Sequence, residues 1–155
     1  MSEATPIPTR TTLNIGAAIL AWVLPGAGYA MLGDLRRGVL AGSGVLGLFL
    51  LGLVIGGVDA VDRTEDALWF WAQSGAGPVA WVADFANTEL LKSGRVGELI
   101  EVPLGDPRAP AYAAVSSLKG VAHPNEFGTL YCAMAGLMNV VVILDVLSRR
   151  RAGGS

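Results

Sequence analysis

Residues 13–58 read LNIGAAILAWVLPGAGYAMLGDLRRGVLAGSGVLGLFLLGLVIGGV, and this stretch decides the fold. Two uncharged runs of 21 residues, 13–33 and 38–58, flank a short connection that holds one aspartate and two arginines. At about 1.5 Å per residue each run makes a helix of about 31 Å, which matches a hydrocarbon core of about 30 Å. The pattern predicts two membrane-spanning helices joined by a tight turn, with core helices of a soluble protein as the alternative.

The composition of the 155-residue chain agrees with a membrane protein. Hydrophobic residues make up 52% and charged residues only 15%, whereas soluble domains average about 25% charged residues. The net charge of −2 gives no basic character for binding nucleic acid. The single cysteine and single histidine exclude a disulfide framework, a cysteine-rich metal site and a histidine-only cluster within one chain. We therefore expect no metal and no cofactor.

Few side chains suit catalysis. Asp59 and Asp62 are candidates for binding a cation, although a solvated acidic turn explains them as well. His123 precedes a proline and is typical of a loop, and Cys132 lies in an apolar run where a thiolate is costly. The chain carries no HExxH motif and no phosphate loop that ends in a lysine and a hydroxyl residue. We predict no catalytic residue and no enzymatic activity.

The glycines of the first run have two interpretations, a phosphate-binding loop or a hinge. Gly26, Gly28 and Gly33 do not have the spacing of a dinucleotide-binding loop. Pro25 removes the backbone hydrogen bond to the Ala21 carbonyl and bends the predicted helix. Gly26 and Gly28 allow another helix to approach the bend, and Gly33 ends the helix. The stretch therefore predicts a hinge and turn.

A third apolar run, residues 67–86, is interrupted at Gly77 and Pro78. Proline is favoured in the first turn of a helix, so two short helices are expected to meet there. Trp69, Trp71 and Trp81 favour the membrane–water interface. The run is predicted to lie in the interface or to dip into it, with a fourth span as the alternative.

The predicted fold is an all-α integral membrane protein, with a helical hairpin, a C-terminal transmembrane helix, a tryptophan-rich interfacial or re-entrant segment and an extra-membrane loop. Short amphipathic helices are expected near residues 90–100 and 112–121 of that loop. The predicted boundaries are a lead-in at 1–12, the hairpin at 13–58, interfacial helices and loop at 59–127, the last transmembrane helix at 128–148 and a basic tail at 149–155.

Arginines at the ends of the apolar runs predict the topology. Arg36 and Arg37 place the first turn on the cytoplasmic side, and Arg149, Arg150 and Arg151 place the C-terminus there. Three spans then leave the N-terminus outside the inner membrane. The same five arginines are expected to contact lipid headgroups.

Glycines mark one face of the second predicted span. Gly38, Gly42, Gly52 and Gly56, together with Val45 and Phe49, follow helical spacings of three and four residues. Small residues let helices approach closely, which is what drives their association in lipid. The face is either an interface with a second copy or a partner, or it packs against the first or last span of the same chain.

The last predicted span also has a small face with one polar member. Gly128, Cys132, Gly136 and Asn139 share this face. The amide of Asn139 needs a hydrogen-bond partner in the membrane or else lines a site. Asp145 and Arg149 have the i, i+4 spacing of an ion pair. An ionisable residue within a span is also a candidate for a proton or ligand role.

Two motifs resemble known membrane families. Trp22-Val-Leu-Pro-Gly-Ala-Gly-Tyr, followed by Leu32-Gly33 and Arg37-Gly38, resembles the two-transmembrane-helix domain of small bacterial membrane proteins. The stretch from Gly128 to Asp145 is similar to the closing helix of a related uncharacterised family. The resemblance implies a hairpin, an extra-membrane middle and a last span, and it implies no reaction.

These features predict a non-enzymatic integral membrane protein that acts by helix packing. It would be a small accessory or structural subunit of a membrane complex, or a homo-oligomeric scaffold, with membrane lipids and other membrane subunits or itself as partners. The alternative is a small transporter or channel-like protein that uses Asn139 and Asp145.

Overall fold

The computed structural model describes residues 13–64, 66–96, 98–103, 112–116 and 123–149. The predicted lead-in, Arg150, Arg151 and parts of the predicted loop lie outside the described residues. The described residues form six α-helices and two strands, in the order α1 (Ile15–Val23), α2 (Ala27–Met31), α3 (Leu35–Gly56), α4 (Ala67–Gln73), α5 (Pro78–Ala86), β1 (Leu99–Pro103), β2 (Tyr112–Ser116) and α6 (His123–Ser148). Short 3-10 turns at Val58–Ala60 and Ser74–Ala76 and a π-helical turn at Asn87–Lys92 connect them.

Helices α3 and α6 form a long antiparallel pair. Gly56 lies against Gly128 at one end, and Asp34, just before α3, lies against Arg149 at the other. Both helices are long and apolar enough to cross a membrane, which agrees with the sequence prediction for these two segments. Only 28% and 33% of the residues in their most apolar stretches are buried, so most of their apolar surface faces outward.

The prediction of one spanning helix over residues 13–33 is wrong. Proline forces the preceding residue out of the helical region, and Leu24 is extended with φ −138° and ψ 107°. Gly26 follows with φ 86°, a conformation that glycine adopts without strain. The expected bend is therefore a full reversal, and α2 runs back along α1, so that Gly28 lies against Ala17.

This reversal changes the topology. The Asn14 N–H donates to the Leu147 carbonyl at 2.9 Å, and the Asn14 side chain donates to the Arg149 carbonyl. The first described residues, the turn at Asp34 and the end of α6 thus lie at one end of the helix pair, the arginine end. The expected three spans, with the chain ends on opposite sides, are wrong for the described chain.

Helices α4 and α5 form a second hairpin that starts from the other end of the pair. The Asp66 N–H donates to the Asp62 carbonyl at 3.3 Å, before α4, and Asn87 Nδ2 donates to the Val61 carbonyl at 3.3 Å, after α5. Gly77, with φ 93°, reverses the chain, and Pro78 is the first residue of α5. The fold therefore has two hairpins of short helices, α1–α2 and α4–α5, which pack on the α3–α6 pair from opposite ends. We call them broken hairpins, because each is an apolar run interrupted at a proline and a glycine.

The short helix expected near residues 90–100 is present only at its start, in the π-helical turn Asn87–Lys92, and residues 99 and 100 lie in a strand. The helix expected at 112–121 is wrong where the structure describes that segment, because a strand lies there as well. Strands β1 and β2 pair antiparallel there, with Leu99 opposite Ser116 and Pro103 opposite Tyr112. Ile100, Val102 and Val115 are β-branched, which favours strands over helices. This small sheet is an addition to the otherwise helical architecture.

Each hairpin packs its own apolar cluster onto the α3–α6 pair. Phe70 of α4 and Ala80 of α5 join Val45 and Phe49 of α3 and Cys132 of α6 in one cluster. In the other cluster, Ala17 of α1 and Tyr29 of α2 pack with Val146 of α6. Ala76, at the tip of the second hairpin, belongs to the first of these clusters.

Candidate functional site

The tips of the two hairpins touch each other beside α6. Each hairpin has a break between its two helices, at Pro25 and Gly26 in the first hairpin and at residues 74–77 in the second. Trp22 Nε1, about one turn before the first break, donates to the Ser74 carbonyl in the second break at 3.1 Å. A Cβ atom at Gly77 would overlap the Trp22 carbonyl oxygen, so only glycine allows this approach. We call this contact the break junction, formed by Ala21, Trp22, Ser74, Gly75 and Gly77.

Asn139 joins both breaks to α6. Its side chain is fully buried, and its Nδ2 donates to the Ala21 carbonyl at 3.1 Å and to the Gly75 carbonyl at 2.9 Å. The Ala21 carbonyl is the one that Pro25 deprives of a helical donor. A single amide therefore satisfies one carbonyl from each broken hairpin.

Backbone contacts at glycines surround Asn139. A Cβ atom at Gly136 would overlap the Ala72 carbonyl oxygen, and one at Gly75 would lie 2.6 Å from the Gly136 carbonyl oxygen. These approaches bring Cα–H groups against carbonyl oxygens, a weak but favourable contact. The second hairpin is thus seated backbone to backbone on α6.

The glycine face of α3 packs within the chain. All six of its predicted members are buried, namely Gly38, Gly42, Val45, Phe49, Gly52 and Gly56. A Cβ at Gly42 would overlap the Pro25 carbonyl oxygen, whereas one at Gly52 would lie 2.6 Å from Cys132 Sγ. The face therefore packs on the first hairpin at one end and on α6 at the other, and it leaves no surface for a second copy.

Charged and polar side chains tie three segments together at the arginine end. The Tyr29 hydroxyl donates to Asp145 Oδ2 at 2.7 Å, and Arg149 Nη2 lies 3.1 Å from the same oxygen. Arg149 Nη1 also reaches Asp34 Oδ2 at 3.5 Å, and Arg37 Nε reaches it at 3.1 Å. Asp145 and Arg149 form the i, i+4 pair within a network that also holds α2 and the start of α3.

Two members of this network were not predicted from the sequence, namely the donor hydroxyl of Tyr29 and the acceptor carboxylate of Asp34. Tyr29 is the one tyrosine in the first apolar run, and Asp34 is the one acid in the connection that follows it. A hydroxyl close to a charged turn was a usable signal.

Two other predicted residues of this end lie outside the network. Arg36 is exposed, and Gly33, with φ 91°, ends the first hairpin beside it.

The expected solvated acidic turn is wrong at the other end of the helix pair. Asp59, Asp62 and Asp84 are 6%, 3% and 6% exposed. Lys92 pairs with Asp62, and the Arg63 N–H donates to Asp84 Oδ1 at 2.8 Å. Burial of these carboxylates is tolerated because each has a cation or an N–H donor beside it.

Two further features of that end were not anticipated from the sequence. Gln73 is 1% exposed, and its Nε2 donates to the Ala60 carbonyl at 2.8 Å, which fixes α4 against the turn after α3. A cavity of about 300 Å³ is lined by Asp66, Trp69, Asn125, Glu126 and Thr129. Among the described residues, no group of three or more His, Cys, Asp or Glu side chains is arranged to hold a metal ion.

The tryptophans of the second hairpin lie on its outer surface to different degrees. Trp71 is 64% exposed and Trp69 44%, whereas Trp81 is 37% exposed. The Trp81 ring packs edge-on against Phe70 with centroids 4.9 Å apart, and the Arg63 guanidinium lies 5.7 Å from its centroid. Trp81 therefore helps to hold the hairpin together.

Comparison with known proteins finds a family to which the chain is similar. A model described as a family of unknown function (DUF6677) matches residues 16–153, which include both hairpins and both long helices. No curated protein and no solved structure matches the chain.

Proposed function

Since the chain belongs to this family of unknown function, we propose its role from geometry: it is a non-enzymatic integral membrane protein that acts by helix packing. In this proposal it is a small accessory or structural subunit of a membrane complex in the inner membrane. The observation that carries it is the break junction, where Asn139 ties two opposed hairpins to α6. Such a junction makes a rigid unit without supplying a reactive group.

The apolar exterior supports insertion into a bilayer. Large hydrophobic side chains on the outer sides of α3 and α6 are exposed rather than buried, which in a soluble protein would be a strong aggregation liability. Val54, Leu50, Val141 and Leu144 are 82%, 55%, 66% and 58% exposed. Helices of 22 and 26 residues are about 33 Å and 39 Å long, enough to cross a hydrocarbon core of about 30 Å.

The two hairpins fit a re-entrant placement in that bilayer. Non-helical backbone is tolerated at membrane depth only where protein covers it. Here Gly26 packs on α3, while Gly75 and Gly77 pack on α6 and on the first hairpin. In this proposal each hairpin enters from its own side and ends near the middle of the membrane.

Arg36, Arg37 and Arg149 lie at one end of the helix pair, and we assign that end to the cytoplasmic side by the positive-inside rule. The start of α1 and the end of α6 then face the cytoplasm together. The other end of the helix pair, which carries the buried carboxylates of Asp59 and Asp62, then faces the opposite side.

A partner subunit, in this proposal, binds the outer surface rather than the glycine face of α3. The second hairpin offers a candidate surface, because it exposes several large apolar residues, among them Leu68, Trp71, Val82 and Phe85. Aromatic residues are enriched at protein interfaces and are favourable at the membrane interface as well.

Affinity purification from native membranes, followed by native mass spectrometry in a mild detergent, tests this proposal. We expect the chain to copurify with another membrane protein or to form an oligomer, and Trp71→Ala with Phe85→Ala to weaken that association. Val54→Ala, which shortens an exposed side chain of α3, is the matched control. A strictly monomeric chain that copurifies with nothing contradicts the proposal.

A transporter or channel-like role is the second candidate, and one observation favours it. Broken helices that meet near the bilayer midplane build the binding sites of many transporters. Asn139 Oδ1, at the junction, is buried and has no hydrogen-bond partner among the described residues. Ion flux into liposomes that is lost in Asn139→Leu and altered in Asp145→Asn would favour this role, whereas absent or unchanged flux would reject it.

A further inference from the structure

An apolar groove runs along the outside of the first hairpin, between α1 and α6. Ile15, Ala18, Ile19 and Trp22 of α1 line it together with Ile143 of α6, and its volume is about 280 Å³. Ile15 and Ile19 are 61% and 59% exposed, so the groove opens outward rather than into the core. We call it the α1–α6 groove.

We propose that the α1–α6 groove binds one acyl chain of a phospholipid from the leaflet at the arginine end. The proposal rests on the insertion into a bilayer proposed above and adds a defined lipid site to it. Its depth, its apolar lining and the chemistry of its two ends support the proposal.

The depth of the groove corresponds to one leaflet. Ile15 and Trp22 are seven residues apart on one helix, which is about 10 Å along its axis. Half of a hydrocarbon core is about 15 Å. The groove therefore begins just inside the arginine end and stops at the break junction, near the end of a lipid tail from that side.

The groove is only partly enclosed, because Ile15 and Ile19 on its lining remain 61% and 59% exposed. A flexible hydrocarbon chain follows such an apolar surface directly, whereas a helix of a second copy would need a matching ridge of side chains. Cross-links between two copies at Ile19 would identify that second occupant.

The two ends of the groove differ as the two ends of a lipid do. At the inner end the Trp22 ring is held by the hydrogen bond from its Nε1 to the Ser74 carbonyl, so it forms a fixed apolar floor. At the outer end Asn14 bonds to the Leu147 and Arg149 carbonyls, and the Arg149 guanidinium lies over the Tyr29 ring. This charged end gives a headgroup the polar surroundings that it needs.

Photo-cross-linking tests the site. The full chain is reconstituted into vesicles of phosphatidylethanolamine and phosphatidylglycerol in which a small fraction of either lipid carries a diazirine in its acyl chain. Cross-linked peptides are mapped by mass spectrometry for the native chain, for Ile19→Phe and Ala18→Leu, which fill the groove, and for Leu50→Phe, which adds bulk to an exposed site on α3. Tryptophan fluorescence checks that each variant is folded.

We expect labelling to be enriched on α1 and around Ile143, to fall to the level of the rest of the surface in Ile19→Phe, and to persist in Leu50→Phe. Labelling spread evenly over all exposed apolar surface, or equal in Ile19→Phe and the native chain, overturns the proposal, as do cross-links between two copies at Ile19. An alkaline carbonate wash of the vesicles distinguishes failure of this proposal from failure of membrane insertion. A chain that is not inserted is released by the wash, whereas an inserted chain stays with the vesicles. Comparing the two labelled lipids shows which headgroup accompanies the bound chain.

Discussion

Replacing Gly52 by alanine tests whether α3 and α6 meet backbone to backbone. A Cβ atom at this position would lie 2.6 Å from Cys132 Sγ and 2.8 Å from the Gly128 carbonyl oxygen. Favourable non-bonded contacts are about 3.5–4.0 Å, so α6 would have to move by about 0.7 Å or more. Gly47, five residues earlier on the same helix, has nothing within 4 Å of the equivalent position and is the matched control.

The two substitutions should change stability in opposite directions. Overpacking costs about 1–3 kcal/mol, and a backbone carbonyl cannot turn aside as a flexible side chain would, so we expect the upper part of that range for Gly52→Ala. Alanine is favoured over glycine inside a helix by about 1 kcal/mol, and both variants gain this term. Gly52→Ala should therefore lose about 2 kcal/mol, while Gly47→Ala gains up to about 1 kcal/mol.

Thermal unfolding in a mild detergent, followed by tryptophan fluorescence, measures this difference. α3 contains no tryptophan, so neither substitution changes the reporter directly. At about 2–4 °C per kcal/mol for a chain of this size, the two Tm values should differ by about 6–12 °C. Equal Tm values for the two variants, or a Gly52→Ala variant as stable as the native chain, would refute the close approach of α3 and α6.

Three other substitutions test the remaining contacts by the same unfolding assay. Asn139→Leu leaves the Ala21 and Gly75 carbonyls without their donor and should lower the free energy of unfolding by about 1–3 kcal/mol. Val141→Leu, on the exposed side of α6, is the control and should be neutral. Equal Tm values for these two variants would contradict the break junction. Tyr29→Phe removes the hydroxyl donor to Asp145 and should cost about 1 kcal/mol, and no loss would mean that this bond does not hold the first hairpin. Gly77→Ala places a Cβ against the Trp22 carbonyl at a φ of 93° and should prevent stable folding; a native-like Tm would show that the hairpin tips do not touch.

The packing face of α3 was predictable from the sequence, residue by residue. Spacings of three and four residues selected six positions, and these six are the buried residues of the helix. Gly44 and Gly47 fall outside that face and have open space beside them. Helical periodicity is a local property, so the sequence alone assigns the face, although not its partner.

The reversal at Pro25 was not predictable in the same way. Proline and the following glycines indicate a break, but they do not determine the direction of the chain after it. That direction depends on contacts with residues far along the chain, such as the bond from Asn14 to Leu147 and the packing of Gly28 against Val146. An apolar run of 21 residues has the length of a span whether or not it folds back.

The candidate site was predictable in its parts and not in its assembly. Proline chemistry indicates that the Ala21 carbonyl lacks a donor, and membrane physics indicates that Asn139 needs an acceptor. No pattern in the sequence pairs these two groups, which lie 118 residues apart, or adds Gly75 as the second acceptor. The burial of Asp62 depends in the same way on Lys92, a residue outside the local acidic pattern.

The central claim is that two broken hairpins enter the α3–α6 pair from opposite ends, and cysteine accessibility in sealed, oriented membrane vesicles tests it most directly. In a Cys132→Ala background, single cysteines replace Leu13 and Ser148 at the arginine end, and Thr64 and Thr88 at the other end, all of which are exposed. An impermeant maleimide should label positions 13 and 148 from one side of the membrane, and positions 64 and 88 only from the other. Labelling of positions 13 and 148 from opposite sides would mean that the first apolar run spans the membrane, and it would contradict the account.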